Sequence, residues 1–516
     1  MKLLKRYGIS LLILALGLWA AGKSEAANSV GPYVSTPIFM TNAVPPNVLI
    51  IFDNSGSMNS MAYWQENLVH DDATPGEFDI VPNTPYSEDK NYYGYFVAGT
   101  PGNRIKYTYS GGKFHRDPAG EWQGNFLNWL CMRRVDVARK VLVGGLATSR
   151  TGSGNTTLIA EDPDQWGRSY KCLLKWDLLM EYTPYGSDLQ DRYVGLKDGY
   201  LYVSTDTFFS PFDVYEEKLT IKVERDSSYA DEAWDFKDGN IAGVMQKVGD
   251  KAYWGLEFFR DGTGNDNGGY IKNRVGHPTI TSLYTNIENE SMKNWTPLAE
   301  SFYVAMQYFK QKPIDDSLAS QYNPGYQINT TWDPYNQDGD STYCAKTFVL
   351  LFTDGSSTKD KLIPEVYKHY DGDTNDPNVQ APSYVDDGTD YLDDIALYAR
   401  VNDLRPELDG DQNIELFVVY AFGDDPAARR LLKDASRNGG FIDKNGNNRP
   451  DPATGAAVNV ADYPDYTPHL TDNTWSEWWE DKRIGEDNSA LPDTYFEAQD
   501  GWQLEQELIN AITKIL

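Results

Sequence analysis

Four nearly continuous apolar runs, at residues 48–52, 253–259, 347–352 and 414–422, constrain this chain most, and turn residues bound each of them. A strand that is apolar on both faces must be covered on both faces, which is the situation of a parallel sheet flanked by helices. The intervals supply helices of the right kind. Residues 126–143 place Leu127, Cys131, Val135, Ala138 and Leu142 on one face and stop at Gly144-Gly145, which makes Cys131 a core residue. Residues 297–309 begin with Pro in the first turn and align Leu298, Phe302, Ala305 and Phe309. A third helix is expected at 391–399. The last runs from Gly501 to the end, with Asp500 and Gln503 spaced as a capping box and Leu504, Leu508, Ile512 and Ile515 inward. Strands alternating with helices predict an α/β fold built on a doubly wound, mostly parallel sheet, whose ligands bind beyond the carboxyl ends of the strands.

The spacing of these elements is uneven. Residues 61–124 are rich in Tyr, Asn, Pro and Gly, densest in aromatics at 91–96, and look inserted. Residues 151–248 read as a β-rich excursion, with short strand candidates at 200–204 and 219–224. No internal repeat of 20–50 residues is visible, which argues against a propeller or solenoid. Ahead of the core, Lys2, Lys5 and Arg6, the apolar run 9–21 and Ser24-Glu25-Ala26 read as a signal peptide at 1–26, leaving 27–516 as one interrupted domain. No later stretch approaches the ~20 apolar residues of a membrane span, so the mature chain is expected to be released, not anchored. A net charge of -30 excludes nucleic acid as a partner, because a phosphate backbone needs a basic surface. Cys131, Cys172 and Cys344 allow one disulfide and leave one thiol over, and they lie too far apart in sequence for a Cys-rich zinc site.

The densest chemistry follows the first apolar run. Residues 47–58 read NVLIIFDNSGSM, so Asp53, Ser55 and Ser57 recur at every second position of a loop that leaves a buried strand. That alternation lets three oxygen side chains converge above the strand end. The donor set suits Mg²⁺ (or Mn²⁺), hard cations that prefer octahedral oxygen coordination and keep several waters. The plain alternative is an N-cap loop with no metal. Asp53 is expected to face solvent, so Asp53→Ala should weaken cation binding and leave the fold intact.

A second loop places Asp443, Asn445, Asn447 and Asp451 at positions one, three, five and nine of a calcium loop, with the Arg449 carbonyl at seven. Thr454 stands at position twelve, where a calcium loop carries a bidentate Glu, so Ca²⁺ and a plain Asx turn both remain open. Asp371, Asp373 and Asn375 form a shorter version that reads as a turn. Catalytic patterns are incomplete. Ser356-Ser357-Thr358-Lys359 matches S-x-x-K and Ser153-Gly154-Asn155 matches S-x-N, but no K-T-G occurs. His70, His115, His277, His369 and His469 are scattered without H-E-x-x-H, and the Gly-rich run 262–269 lacks a P-loop lysine. The chain is read as a non-enzyme.

Through Asp53, Ser55 and Ser57 the chain resembles the von Willebrand factor A family and its metal-ion-dependent adhesion site. The later threonine and aspartate of that family match Thr296 in WTPLAE (295–300) and Asp354 in LFTDG (351–355). The resemblance implies that Ser55, Ser57 and Thr296 contact the metal while Asp53 and Asp354 hold its waters. Neutral hydroxyls leave most of the cation's charge uncompensated, so the open position attracts an external carboxylate or similar oxygen. A closer resemblance covers most of the mature chain. The stretches 128–142 (NWLCMRRVDVARKVL), 268–273 (GGYIKN), 295–300, 391–396 (YLDDIA) and 402–406 (NDLRP) look like the PilY family, the tip-associated adhesins and assembly factors of type IV pili. That resemblance implies export through the inner membrane to the periplasm and cell surface, association with minor pilins at the pilus tip, attachment to a host or abiotic surface, and modulation of pilus extension and retraction. Family members usually continue into a C-terminal β-propeller, whereas this sequence stops at Leu516 as either a short form or a fragment, so functions tied to that propeller are not carried over to it. Two other readings stay open. One is a carbohydrate-binding protein that stacks sugars on aromatics such as Trp475, Trp478 and Trp479, and the other a Mg²⁺-dependent hydrolase that activates water.

Overall fold

The four apolar runs form the centre of one six-stranded sheet. The computed structural model describes residues 44–70, 78–160, 169–205, 211–276, 280–323, 328, 331–337, 339–372, 384–444, 446, 448–450, 477–481, 483–485 and 487–516. The expected signal peptide lies outside them. The strands β1 (Asn47–Phe52), β2 (Tyr253–Phe259), β3 (Gly269–Asn273), β4 (Thr347–Thr353), β5 (Ile414–Ala421) and β6 (Tyr495–Ala498) lie in the order β3-β2-β1-β4-β5-β6. All neighbours are parallel except β2 and β3, which pair antiparallel through a bulge at Leu256/Glu257. Each predicted run matches its strand to within one residue at either end. Phe422 adopts a left-handed backbone with φ 60°, which ends β5 one residue early. The short edge strands β3 and β6 escaped the sequence because an edge needs no long apolar run.

Val48, Ile50 and Phe52 face one apolar layer and Leu49 and Ile51 the other, and all five are fully buried. Burial on that scale stabilises by roughly 1.5–3 kcal/mol per side chain before chain entropy is counted. The first layer is covered by α1 (Gly124–Cys131), α2 (Arg134–Val143), α3 (Ile280–Asn289) and a C-terminal helix, through Leu127, Val135, Leu283 and Leu504. The second is covered by α4 (Leu298–Lys310), α5 (Leu392–Val401) and α6 (Pro426–Gly440), through Phe302, Ile395 and Leu431. The C-terminal helix is α7 (Gly501–Ile515). Its start is capped as expected by Asp500, but Gln503 receives the N–H of Gln499 and not that of Asp500. The fold is thus mixed α/β, with a mostly parallel sheet between helices. No helix among the described residues is long and apolar enough to cross a membrane.

One predicted helix is two. Residues 126–143 break at Met132 and Arg133, both extended (ψ 131° and 162°). The break docks onto the loop that follows β1, because Ala62 N–H donates to Met132 O at 3.0 Å and Arg134 N–H to Ser60 O at 2.9 Å. The Asp136 carboxylate then accepts the Arg133 N–H at 3.1 Å and restarts the helix. Apolar periodicity continues across the break, so it could not reveal it. Cys131 is buried as expected. All three cysteines are free thiols, Cys131 and Cys172 buried and Cys344 exposed.

The two inserted stretches are knitted together. Lys106–Ser110, Lys113–Arg116 and Trp122–Gln123 of the first join Asn155–Ile159 and Lys222–Asp226 of the second in one five-stranded sheet. A four-stranded antiparallel sheet holds Tyr170–Leu174, Arg192–Lys197, Tyr200–Ser204 and Glu217–Thr220. Tyr92, Tyr93, Tyr95 and Phe96, the dense aromatic patch, are buried in the same apolar layer as β1. They are core anchors.

Glu257 is the exception inside the sheet. It is fully buried, neither carboxylate oxygen has a hydrogen-bond partner, and a Cβ on Gly269 would stand 2.0 Å from its Oε1. Burial pushes its pKa well above the 4.5 of a free side chain. Between those two values the folded protein binds more protons than the unfolded one, so stability falls as pH rises. Glu257→Gln removes that titration. Urea unfolding should show the variant's stability relative to wild type rising by at least ~1 kcal/mol from pH 5 to pH 8; an equal difference at both pH values would contradict the assignment.

Candidate metal centre

The strand order reverses direction at the β1/β4 pair, and a doubly wound sheet opens a crevice at such a point beyond the carboxyl ends of its strands. Phe52 lies opposite Phe352, so Asp53 and Thr353 emerge level with each other, still joined by Asp53 N–H to Phe352 O at 3.0 Å. Asp53 does not face solvent. It is fully buried, and its carboxylate accepts from Ser55 N–H at 2.7 Å, Thr353 Oγ1 at 2.6 Å and Asp354 N–H at 3.3 Å. Burial first, and the neighbouring Asp354 second, push its pKa up to about 7. The expectation that Asp53→Ala spares the fold is therefore corrected, because the carboxylate holds the loop together from inside.

The loop next presents its hydroxyls. Ser55 Oγ and Ser57 Oγ stand 2.8 Å apart, and Ser57 Oγ donates to Asp354 Oδ1 at 2.6 Å. Thr296 arrives on the segment between α3 and α4. Its approach is fixed by Gly56 N–H to Asn294 O at 3.0 Å and by Thr296 N–H to Thr358 Oγ1 at 2.8 Å. Ser57 Oγ and Thr296 Oγ1 lie 3.6 and 3.7 Å from where a Cβ on Gly355 would stand, so both hydroxyls flank the space that this glycine leaves. The structure thus brings Asp53, Ser55, Ser57, Thr296 and Asp354 to one place from three separated segments. Oxygens on adjacent corners of a Mg²⁺ octahedron are about 2.9 Å apart at Mg–O distances of ~2.0–2.1 Å. The Ser55–Ser57 spacing fits that edge. Among the described residues no group of three or more His, Cys, Asp or Glu could hold a metal; the centre here is built of three hydroxyls and two carboxylates.

Three further residues shape the site and were not foreseen. Thr353 orients Asp53. Arg134, the first residue of α2, reaches Asp354 Oδ2 with Nη1 at 2.9 Å, and the Asp354 side chain is fully enclosed. Asp360 caps α4 through Ala299 N–H at 2.9 Å and Glu300 N–H at 2.8 Å, and Ser357 Oγ donates to it at 2.7 Å. That cap sets the approach of Thr296, and it uses Ser357 and Thr358 of the S-x-x-K match for structure. The only local signal for Asp360 was its spacing from Ser357. Arg134 stood inside a quoted family-like stretch, but nothing nearby in sequence connects it with a residue 220 positions away.

In the second loop, Asp443 accepts Gly446 N–H at 2.7 Å and Asn448 N–H at 3.0 Å. The Arg449 guanidinium donates to Asp371 O at 2.9 Å. Asn445, Asn447 and Asp451 lie outside the described residues, as do Asp373 and Asn375 of the shorter loop and Trp475. Trp478 and Trp479 are buried beside Leu397 and Phe441 and offer no open stacking face.

Residues 83–207 match the family model described as PilY1 homolog, small alpha/beta domain, and residues 242–393 that described as PilY1 homolog, second domain. Thr296 and Asp354 fall in the second match, whereas Asp53, Ser55 and Ser57 precede both. A curated relative, the type IV pilus biogenesis factor PilY1 homolog of Xylella fastidiosa, is 32% identical over 116 residues, which is 20% of this chain and only 8% of the relative. No solved structure matches the chain. Two domains of the PilY1-homolog type, over residues 83–207 and 242–393, therefore relate this chain to the PilY1 homologs.

Proposed function

We propose that this chain is an exported, non-enzymatic adhesin and biogenesis factor of type IV pili, with a von Willebrand factor A-type core whose metal-ion-dependent adhesion site is Asp53, Ser55, Ser57, Thr296 and Asp354. The observation that carries the reading is the convergence of three hydroxyls and two carboxylates at the carboxyl ends of β1 and β4. Ser55, Ser57 and Thr296 would hold Mg²⁺ (or Mn²⁺), and Asp53 and Asp354 would orient its waters. When bound, the cation supplies an electrophilic open position for an anionic oxygen. The protein's part is to keep the inner donors neutral, so that a ligand carboxylate from a host or abiotic surface meets uncompensated charge. Minor pilins at the pilus tip are the proposed assembly partners, and periplasm and cell surface the proposed locations. The Asp443 loop is a proposed Ca²⁺ loop of secondary rank.

Arg134 opposes the cation. Its guanidinium already neutralises Asp354 and brings positive charge to the same crevice. Arg134→Gln should tighten Mg²⁺ binding roughly tenfold by removing that repulsion, while the metal-free protein loses stability because Asp354 stays buried without its partner. Thermal unfolding with chelator and with Mg²⁺ reads both effects; weaker Mg²⁺ binding in the variant would show instead that Arg134 is needed to place Asp354.

The test of function is a deletion strain carrying the chain as Ser57→Ala or Thr296→Ala. Pili should assemble, and attachment should fall to the level of the deletion strain. Attachment equal to wild type, with calorimetry confirming that the variant binds no Mg²⁺, would overturn the adhesion reading.

A further inference from the structure

The amino ends of β4 and β5 open on a cleft of about 540 Å³ between residues 343–346 and residues 409–413, with Arg400 of α5 on its wall. That volume lies within the ~300–1,000 Å³ of small-molecule sites. The candidate metal centre lies at the other end of β4, and a strand from Thr347 to Thr353 sets the two roughly 20 Å apart.

The cleft is held open by its own lining. Gln412 bridges the two walls, because its Nε2 donates to the Asp409 carbonyl at 2.9 Å and to the Tyr343 carbonyl at 3.2 Å. Its backbone is fixed by Gln412 N–H to Asp403 Oδ1 at 3.2 Å and Leu404 N–H to Gln412 O at 2.9 Å. Asn47 N–H donates to the Lys346 carbonyl at 2.8 Å and ties the opposite wall to β1. The Phe441 carbonyl steadies Arg400, accepting from Nε at 3.0 Å and Nη2 at 2.7 Å. One group in this rigid frame is left over. Gln412 is 4% exposed, yet its Oε1 has no hydrogen-bond partner. A buried amide oxygen without a donor is costly, and a ligand O–H or N–H in the cleft would satisfy it.

The other lining residues choose among ligands. Lys346 and Arg400 bring positive charge, and Asp409, Asp411 and Glu415 bring negative charge. A ligand with strong charge of one sign meets repulsion as well as attraction there, and an apolar ligand leaves the polar groups unpaired. A neutral polyhydroxyl compound uses both sets, since each hydroxyl donates to a carboxylate and accepts from an ammonium, guanidinium or amide. Tyr343, 37% exposed, adds a half-open aromatic ring on which the C–H face of a sugar packs.

We propose that the cleft at the amino ends of β4 and β5 binds a neutral saccharide of one or two hexose units, with Tyr343 as the stacking face and Gln412 Oε1 and Asp411 as hydroxyl acceptors. The site is separate from the serine- and threonine-lined centre and does not depend on it.

The experiment titrates the full chain with maltose, cellobiose, lactose and N,N′-diacetylchitobiose by calorimetry, in chelator and in Mg²⁺. At least one disaccharide should bind saturably, with the same affinity in both conditions. Tyr343→Ala and Asp411→Ala, both at exposed positions, should each weaken it at least ~10-fold, whereas Tyr343→Phe, which keeps the ring face, should change it by less than about threefold. Cys344 gives an independent readout, because it lines the cleft and is exposed while Cys131 and Cys172 are buried. Bound saccharide should slow its alkylation by iodoacetamide in the native protein. Retention on beads that carry the same disaccharide through its reducing end would identify the end of a surface glycan as the ligand; binding of the soluble sugar without retention would identify a free sugar, and either supports the proposal. Absence of saturable binding by all four disaccharides would overturn it, as would affinity that Tyr343→Ala and Asp411→Ala both leave unchanged. Binding of tetralysine or tetraglutamate in their place, lost in Asp411→Ala or in Lys346→Ala, would also overturn it, since the cleft would then select charge.

Discussion

Asp53→Ala should remove saturable Mg²⁺ binding, with an affinity loss of at least ~100-fold, and should also lower stability by about 2 kcal/mol. The stability loss follows from what the carboxylate holds. Ser55 N–H, the Thr353 hydroxyl and Asp354 N–H all donate to it in a fully buried setting, and each orphaned donor costs about 1–3 kcal/mol. Part of that is offset, because the substitution also removes a buried carboxylate and its repulsion of Asp354. Asp53→Asn separates the two effects. It keeps an acceptor oxygen for Ser55 N–H and lets the Thr353 hydroxyl accept in place of donating, but it turns an amide donor toward Asp354 N–H, so it should recover part of the stability in urea unfolding and still bind Mg²⁺ far more weakly than wild type. Equal destabilisation by Ala and Asn would show that charge, not hydrogen bonding, holds the loop.

Arg225→Met should be the most damaging single change in the inserted sheets, at about 3–5 kcal/mol. Arg225 Nε meets Glu232 at 2.8 Å, Nη2 meets Asp235 at 2.6 Å, and Nη1 donates to the Tyr95 carbonyl at 2.9 Å. The Arg225 and Glu232 side chains are each 1% exposed, so removing the guanidinium takes the nearer charge from a buried carboxylate and leaves it only the Arg116 Nη1 contact at 3.3 Å. The network also joins the 91–96 aromatic stretch to the second insertion. Loss of near-ultraviolet dichroism from the buried tyrosines should accompany the lower urea midpoint. The exposed pair Lys175–Asp191, with a lysine side chain 62% exposed, gives the contrast: Lys175→Ala should change stability by less than ~0.5 kcal/mol. A similar cost for the two variants would mean that the inserted sheets are held by apolar packing alone.

Much of the sheet was legible because a doubly buried strand writes itself as a continuous apolar run, and four such runs found their strands almost residue for residue. The edges were not legible, since β3 is only partly buried and β6, although Tyr495, Phe496 and Ala498 are buried, is four residues long. Helix α6 was hidden for another reason. Its buried positions include Lys433 and Arg437, which meet side-chain partners that no periodicity predicts. The break between α1 and α2 came from backbone hydrogen bonds to Ser60 and Ala62, contacts 70 or more residues away in sequence.

At the candidate centre, Asp53, Ser55 and Ser57 were legible as a local spacing. Thr296 and Asp354 entered only through family resemblance, and the structure places them beside the same loop. Arg134, Thr353 and Asp360 were missed because their roles are defined by the partners they reach, at positions 354, 53 and 299–300. Exposure was the other failure. A loop residue named as a cation holder was assumed to face water, yet Asp53 is enclosed by the strands it follows.

The most direct measurement of the central claim is calorimetric titration of the metal-free chain with Mg²⁺ and Mn²⁺, repeated on the Ser55→Ala/Ser57→Ala double variant. The Ser57 hydroxyl meets Asp354, the Ser55 hydroxyl meets that of Ser57, and neither packs in an apolar layer, so the variant should unfold in chelator at nearly the wild-type midpoint. Wild type should take up one saturable ion at this centre and the variant none. Uptake with the same stoichiometry and affinity in both proteins would contradict a cation centre at Ser55 and Ser57.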